Sequence, residues 1–177
     1  MNEASATVAV PLGSRSYRIS IGQGNLPTAG RILLELRPTT HVVVITDSNV
    51  DPLYAQALAG SIGAAGPRVD RLVVPAGESS KSVTEASRLW RELLQCGADR
   101  STVIVAAGGG VVGDLAGFVA ATFARGIALL QVPTTLLAQV DSSVGGKVGI
   151  NLPQAKNIVG AFWQPLGVVI DLSLIHI

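Results

Sequence analysis

The chain has 177 residues with 13 basic and 12 acidic side chains, and a formal charge of +1 makes no electrostatic case for binding nucleic acid. At 48% hydrophobic and 14% charged residues it can bury a core, which excludes a disordered segment. A single cysteine, Cys96, excludes an internal disulfide, and two histidines with no CxxC pair are too few soft ligands for a self-contained zinc site, so a reducing, cytoplasmic setting is expected.

The start of the chain carries Glu3 and no basic segment before an apolar run, so it does not read as a secretory signal. Thr7 to Val10 and Tyr17 to Ile21 flank the turn-like Leu12-Gly13-Ser14-Arg15 and predict an antiparallel hairpin, followed by a helical stretch near Leu26 to Leu36. His41 to Thr46 reads as a buried strand that ends in the polar Asp47-Ser48-Asn49, with a helix from Asp51 to about Gly63. Val69 to Val74 is the next strand. Ser82 and Glu85 then match a capping box opening a helix that carries Trp90, Leu93 and Leu94 and stops at Gly97.

Thr102 to Ala107 predicts a strand, Gly108 to Gly113 a glycine-rich turn and Asp114 to Phe123 a helix. Val103 to Ala124 is as long as a membrane span, but Asp114 and five glycines interrupt it, so a buried strand and a buried helix explain it better. Ala128 to Val132 is a strand closed by Pro133. A short helical piece leads into Val144 to Asn151, too glycine-rich for a helix and more like a loop or hairpin, and Val168 to Ile170 is the last strand. This alternation predicts an α/β protein with a parallel sheet covered by helices, after an antiparallel hairpin.

Three groups of residues suit chemistry. Gly108, Gly110 and Gly113 satisfy G-x-G-x-x-G between a predicted strand and helix, where open backbone N–H groups and the helix dipole favour a pyrophosphate; a tight packing turn has the same signature. The motif follows a late strand and no acidic residue ends a strand about 20 positions on, so Asp47, on the same sheet edge, would serve a ribose instead, or simply cap the following turn. Glu78 and Lys81 of Pro75-Ala-Gly-Glu-Ser-Ser-Lys81 sit at another strand end, in what is otherwise a solvated loop. The densest cluster runs from Thr134 and Thr135 through Gln139, Asp141, Ser142 and Ser143 to Lys147, Asn151, Lys156 and Asn157. Two lysines, two asparagines, an aspartate and paired hydroxyls in a glycine-rich stretch suit a phosphorylated, polyhydroxylated ligand.

These stretches resemble the 3-dehydroquinate synthase family from about Leu12 to Leu172: PAGESSK at 75–81, GGGVVGDLAGF at 108–118, ATFARGI at 121–127, QVPTTLLAQVDSSVGGKVGIN at 131–151 and KNIVGAFWQP at 156–165. The resemblance implies a Rossmann-like domain and an NAD- and metal-dependent lyase of the shikimate pathway, and so of chorismate and aromatic amino acid biosynthesis. Its reaction converts 3-deoxy-D-arabino-heptulosonate 7-phosphate to 3-dehydroquinate and phosphate. NAD takes a hydride from a ring carbon that bears a hydroxyl, leaving a ketone as the hydroxyl proton departs, and returns it after phosphate has left. By position, Asp47, Asn49, Gly77, Glu78, Ser79, Ser80 and Lys81 would contact the adenosine side of NAD. Gly109, Gly110, Val111, Val112, Gly113 and Asp114 would hold the pyrophosphate and ribose, with Thr134 and Thr135 beside them. Lys147 and Lys156 match lysines of the cofactor and substrate site, and Asp141 and Asn157 match residues that contact the sugar phosphate. Arg125 matches an arginine that reaches the phosphate in a neighbouring subunit, which implies a homodimer. Ala155 replaces a glycine usual there, with little effect expected.

The family's metal, zinc or cobalt, is held by one glutamate and two histidines of a second, all-helical domain that this chain does not include. No glutamate follows Glu92, and His41 and His176 read as structural or incidental. Residues 1–171 are therefore expected to be the NAD-binding domain, inactive alone and left with an exposed apolar interface. The tail at 172–177, Leu-Ser-Leu-Ile-His-Ile, resembles a translated transposon-type sequencing adapter and reads as non-native. Other sugar-phosphate cyclases, of the deoxy-inosose or valiolone type, are the nearest alternative. An iron-type or glycerol dehydrogenase ranks lower because it would not be expected to carry DSSVGGK followed by KN. A nucleotide-binding fragment without turnover is the non-enzymatic alternative. Neither a nucleic acid nor a membrane partner is expected.

Overall fold

Short β-branched runs form the strands, and the computed structural model describes residues 5–174 of the chain. The strands are β1 (Ala6–Val10), β2 (Tyr17–Gly22), β3 (His41–Asp47), β4 (Arg68–Val74), β5 (Val103–Gly108), β6 (Ala128–Pro133), β7 (Lys147–Leu152), β8 (Ala155–Phe162) and β9 (Gly167–Asp171). The helices are α1 (Ala29–Leu36), α2 (Gln56–Ala64), α3 (Val83–Gln95) and α4 (Gly110–Thr122). Seven strands make one sheet in the order β1-β2-β9-β6-β5-β3-β4, and β7 pairs with β8 in a separate hairpin. From β2 to β4 every pairing is parallel, and only the edge strand β1 is antiparallel. This is the Rossmann-like sheet with an N-terminal hairpin that the sequence predicts.

Strand periodicity explains why helices cover both faces. Val43 and Ile45 of β3 join Ile104 and Ala106 of β5 under α3 and α4, while Val42 and Val44 join Val103 and Val105 under α1 and α2. Central parallel strands are buried on both sides, so β5 is buried along its whole length. The apolar stretch from Val103 to Ala124 is thus a strand and a helix, and no helix among the described residues is long and apolar enough to cross a membrane.

Four local expectations shift. Helix α4 starts at Gly110 rather than Asp114, because the glycines form its first turns: a Cβ on Gly117 would strike Val148, so the close seat of the β7–β8 hairpin on α4 requires glycine inside the helix. The second helix opens with a wide turn over Asp51–Ala55 before α2 becomes regular. The capping box is half-formed: Ser82 Oγ accepts the N–H of Glu85 at 3.2 Å, but the Glu85 carboxylate goes to Arg88 at 2.7 Å. Strand β8 has no local signal in the sequence, since most of its residues are exposed.

At the end of β9, Asp171 locks the β2–α1 connection. Its side-chain oxygens accept from the N–H groups of Gly24 at 2.9 Å, Leu26 at 2.8 Å and Ser173 at 3.0 Å, and from Ser173 Oγ at 2.6 Å. Leu172–Leu174 continue as a short turn whose Leu174 is buried in the α1–α2 core. Residues 175–177, including His176, lie outside the described residues.

Burial by itself would push the Asp171 carboxyl up, but the donors from Ser173, Leu26 and Gly24 prevail and hold it below the ordinary carboxylate range. Replacement by Asn puts an NH2 group among N–H donors and should lower stability by about 1–3 kcal/mol in urea unfolding near pH 7. A carboxyl depressed by folding stabilises the fold above its unfolded pKa and loses that contribution as pH falls through its folded pKa. The gap between wild type and D171N should therefore close in acid.

Candidate functional site

In a parallel sheet all strands end on one edge, so the connections after β3, β4, β5 and β6 become neighbours there. Gly109 is the N-cap of α4 and no side chain caps the helix, which leaves the first-turn N–H groups open. Thr134 N–H bonds the Gly108 carbonyl at 3.0 Å and fixes the β6 exit beside this helix start. A Cβ on Gly110 would lie 3.0 Å from Ser142 Oγ, and that buried hydroxyl has no hydrogen-bond partner. An uncapped helix N-terminus under an unpartnered hydroxyl is a ready seat for an anion.

The second feature is a buried cation. The Lys81 side chain is 5% exposed, and its ammonium donates to Asp114 Oδ2 at 2.6 Å and to Asn157 Oδ1 at 2.5 Å. Asn151 completes the network. Its N–H donates to the Lys81 carbonyl at 2.8 Å, its Nδ2 donates to Glu78 Oε1 at 2.7 Å, and its Oδ1 accepts the Asn157 N–H at 2.8 Å. That last bond holds Asn157 in a left-handed conformation, φ 53°. Burial pushes the Asp114 carboxyl above its ordinary range against the pull of Lys81, and the charge of Glu78 pushes the same way.

Two grooves open on either side of this network. One, of about 500 Å³, is lined by Asp114, Asp141, Ser142, Lys147 and Asn157. The other is lined by Glu78, Ser79, Lys81, Asn151 and Lys156. The fold therefore brings most of the sequence-derived residues to one edge but divides the lysines, with Lys147 in the first groove and Lys156 in the second. Thr134 is buried, and Thr135 packs against Gly109. Asp47 Oδ1 caps the turn after β3, accepting from Asn49 at 2.8 Å and Val50 at 3.1 Å. Arg125 does not share these grooves: it follows α4 at the opposite edge of the sheet, exposed, with φ 67°. Sequence reasoning placed Asn151 in the polar cluster without a role, because its three partners come from segments 6 to 73 residues away.

Residues 71–177 match the family model described as the 3-dehydroquinate synthase N-terminal domain. The 3-dehydroquinate synthase of Symbiobacterium thermophilum is 52% identical over 163 residues, covering 92% of this chain and 46% of the relative. A crystal structure of 2-deoxy-scyllo-inosose synthase with carbaglucose-6-phosphate, NAD+ and Co2+ superposes with a TM-score of 0.87 at 31% identity, covering 96% of this chain and 47% of that one. The 2-epi-5-epi-valiolone synthase from Streptomyces hygroscopicus subsp. jinggangensis 5008, solved with NAD+ and Zn2+, gives 0.79 at 25% identity, covering 93% and 45%. The chain belongs to the 3-dehydroquinate synthase family and spans about half the length of the curated relatives it matches.

Replacing Lys81 with Met strands Asp114 and Asn157 without their donor. The expected loss is about 2 kcal/mol at pH 7, below the ~3–5 kcal/mol of a fully buried broken pair because the Asp114 side chain is 24% exposed. A carboxyl raised by folding favours the folded state only when protonated, so the K81M variant should regain stability as the pH is lowered through the folded pKa of Asp114. Urea unfolding at pH 7 and at successively lower pH measures both effects.

Proposed function

We propose that this chain is the NAD-holding half of a 3-dehydroquinate synthase, which converts 3-deoxy-D-arabino-heptulosonate 7-phosphate to 3-dehydroquinate and phosphate. The observation that carries the cofactor reading is the uncapped start of α4 beneath the unpartnered Ser142 hydroxyl, a cradle that fits a pyrophosphate. When bound, NAD supplies reversible hydride removal from a ring carbon that bears a hydroxyl. The chain's own residues bind and orient. N–H groups of Gly110, Val111 and Val112 face the anion, Gly109 keeps the approach close, Gly113 seats the helix against Gln131 of β6, and Asp114, fixed by Lys81, accepts from ribose hydroxyls. Asp47 and Asn49 lie on the same edge, where an adenosine would extend past the loop of Gly77, Glu78, Ser79 and Ser80. Lys147, Asp141 and Asn157 line the groove suited to the sugar phosphate, Lys147 neutralising phosphate and Asp141 accepting from hydroxyls. Lys156 reaches the cofactor from the second groove.

Residues 1–171 constitute the NAD-binding domain in this reading. In this reading the exposed Arg125 serves the phosphate site of a second copy, so the full-length enzyme is a homodimer, and its setting is the cytoplasm. The residues present do not fit the divalent metal of the full-length enzyme. His41, the only histidine among the described residues, lies at the edge opposite α4's start. The identity of 52% to a 3-dehydroquinate synthase against 31% to a deoxy-inosose synthase favours dehydroquinate chemistry over the other cyclases.

Calorimetric titration with NAD is expected to show one site per chain, weakened at least tenfold by Gly110→Val, which fills the cradle. Phosphate release from the heptulosonate phosphate is expected to be absent even with added zinc or cobalt. Turnover by the wild-type chain would overturn the half-enzyme reading, and a folded chain that takes up no NAD would overturn the cofactor reading.

A further inference from the structure

Alternation along the strands gathers a second set of reactive side chains at the other end of the sheet. The β3 row that contributes Val43 and Ile45 to the α3–α4 core begins at His41. Val43 is in register with Asp70, so Asp70 extends the Leu72–Val74 row of β4 on the same face, and Thr102 precedes the Ile104–Ala106 row of β5. Cys96, the C-cap of α3, closes over them. The apolar layer thus ends in a nitrogen, a carboxylate and a thiol whose ligand atoms all lie within 4.8 Å of one another.

We propose that His41, Asp70 and Cys96 form a binding site for a borderline-soft divalent cation of the zinc type. Tetrahedral coordination with bonds of about 2.0–2.3 Å needs ligand atoms roughly 3.3–3.6 Å apart, within reach by side-chain rotation alone. The histidine is already oriented as a ligand. Its Nδ1 lies 3.3 Å from Thr102 Oγ1, itself held by the Asp99 N–H at 2.9 Å, and its Nε2 points at Asp70 Oδ2, 2.8 Å away. A fixed partner on the second ring nitrogen is the usual support of a metal-bound histidine.

Two groups already meet Asp70 Oδ2, the His41 ring at 2.8 Å and the Arg68 guanidinium at 2.8 Å. The Arg68 side chain is 61% exposed, so this pair contributes little and opens readily to solvent. The Asp70 side chain is 27% exposed, which gives an ion an entry and leaves room for a water as fourth ligand. Burial pushes the Cys96 thiol up, and the Asp70 charge adds to it, so the free thiol stays protonated. Binding forms the sulfur–metal bond as the S–H proton leaves to solvent. Too few soft ligands for a Cys/His-only site are present in the sequence, and the carboxylate supplies the third.

The test uses the whole chain and Co2+ as the probe, without NAD, so its outcome is independent of the cofactor reading. Cys96 is the only cysteine, so a thiolate-to-cobalt charge-transfer band reports on this site alone. The expected result is a near-ultraviolet band that saturates at one equivalent, is bleached by Zn2+ and is absent in Cys96→Ser. Asp70→Asn, on a part-exposed side chain, should weaken cobalt binding at least tenfold while far-ultraviolet circular dichroism stays unchanged. No charge-transfer band at saturating Co2+, or full affinity in D70N, would overturn the proposal.

Discussion

A lysine ammonium taken out of water must regain both charge compensation and hydrogen bonds, and Lys81 finds them on two other segments of the chain. Asp114 comes from the second turn of α4 and Asn157 from β8, so one buried charge fixes three elements that are remote in sequence. The isolated bridge between Ser82 and Asn151 joins the same loop to the hairpin by backbone. Without that anchor the β7–β8 hairpin would meet α4 only through apolar packing, and neither groove would have a defined wall.

The glycines of α4 serve this arrangement in two ways. At Gly117 the absent side chain admits Val148, which brings the hairpin onto the helix, and at Gly110 it leaves the helix start open beneath Ser142. A G-x-G-x-x-G pattern can mean either close packing or anion binding, and here the positions separate: Gly113 lies against Gln131 of β6, while Gly109 and Gly110 face the connection after β6. Packing and ligand access are therefore met by different residues of one run.

Much of the fold is legible because its signals are local. The β-branched runs at His41–Asp47 and Val103–Gly108 give buried parallel strands, Ser82 marks the start of α3, and Gly97, at φ 74°, marks its end. The polar residues around Glu78, Lys81, Asp114 and Asn157 are legible as chemistry-bearing from their types and from the resemblance to a family. Their connection is not: nothing near Asn157 in sequence shows that its left-handed backbone is held by Asn151, or that Lys156 and Lys147 would occupy different grooves.

The sequence by itself determined the α/β class, the order of the helices and of the main-sheet strands, and the set of residues able to hold a phosphorylated ligand, because periodicity, capping and glycine placement act over a few residues. Only the tertiary structure decided which of those residues share a surface. It carried Arg125 to the far edge, joined Lys81 to two partners 33 and 76 residues away, and set His41, Asp70 and Cys96 side by side. Such meetings depend on strand order and sheet register, which follow from the burial of whole layers and have no counterpart in local sequence.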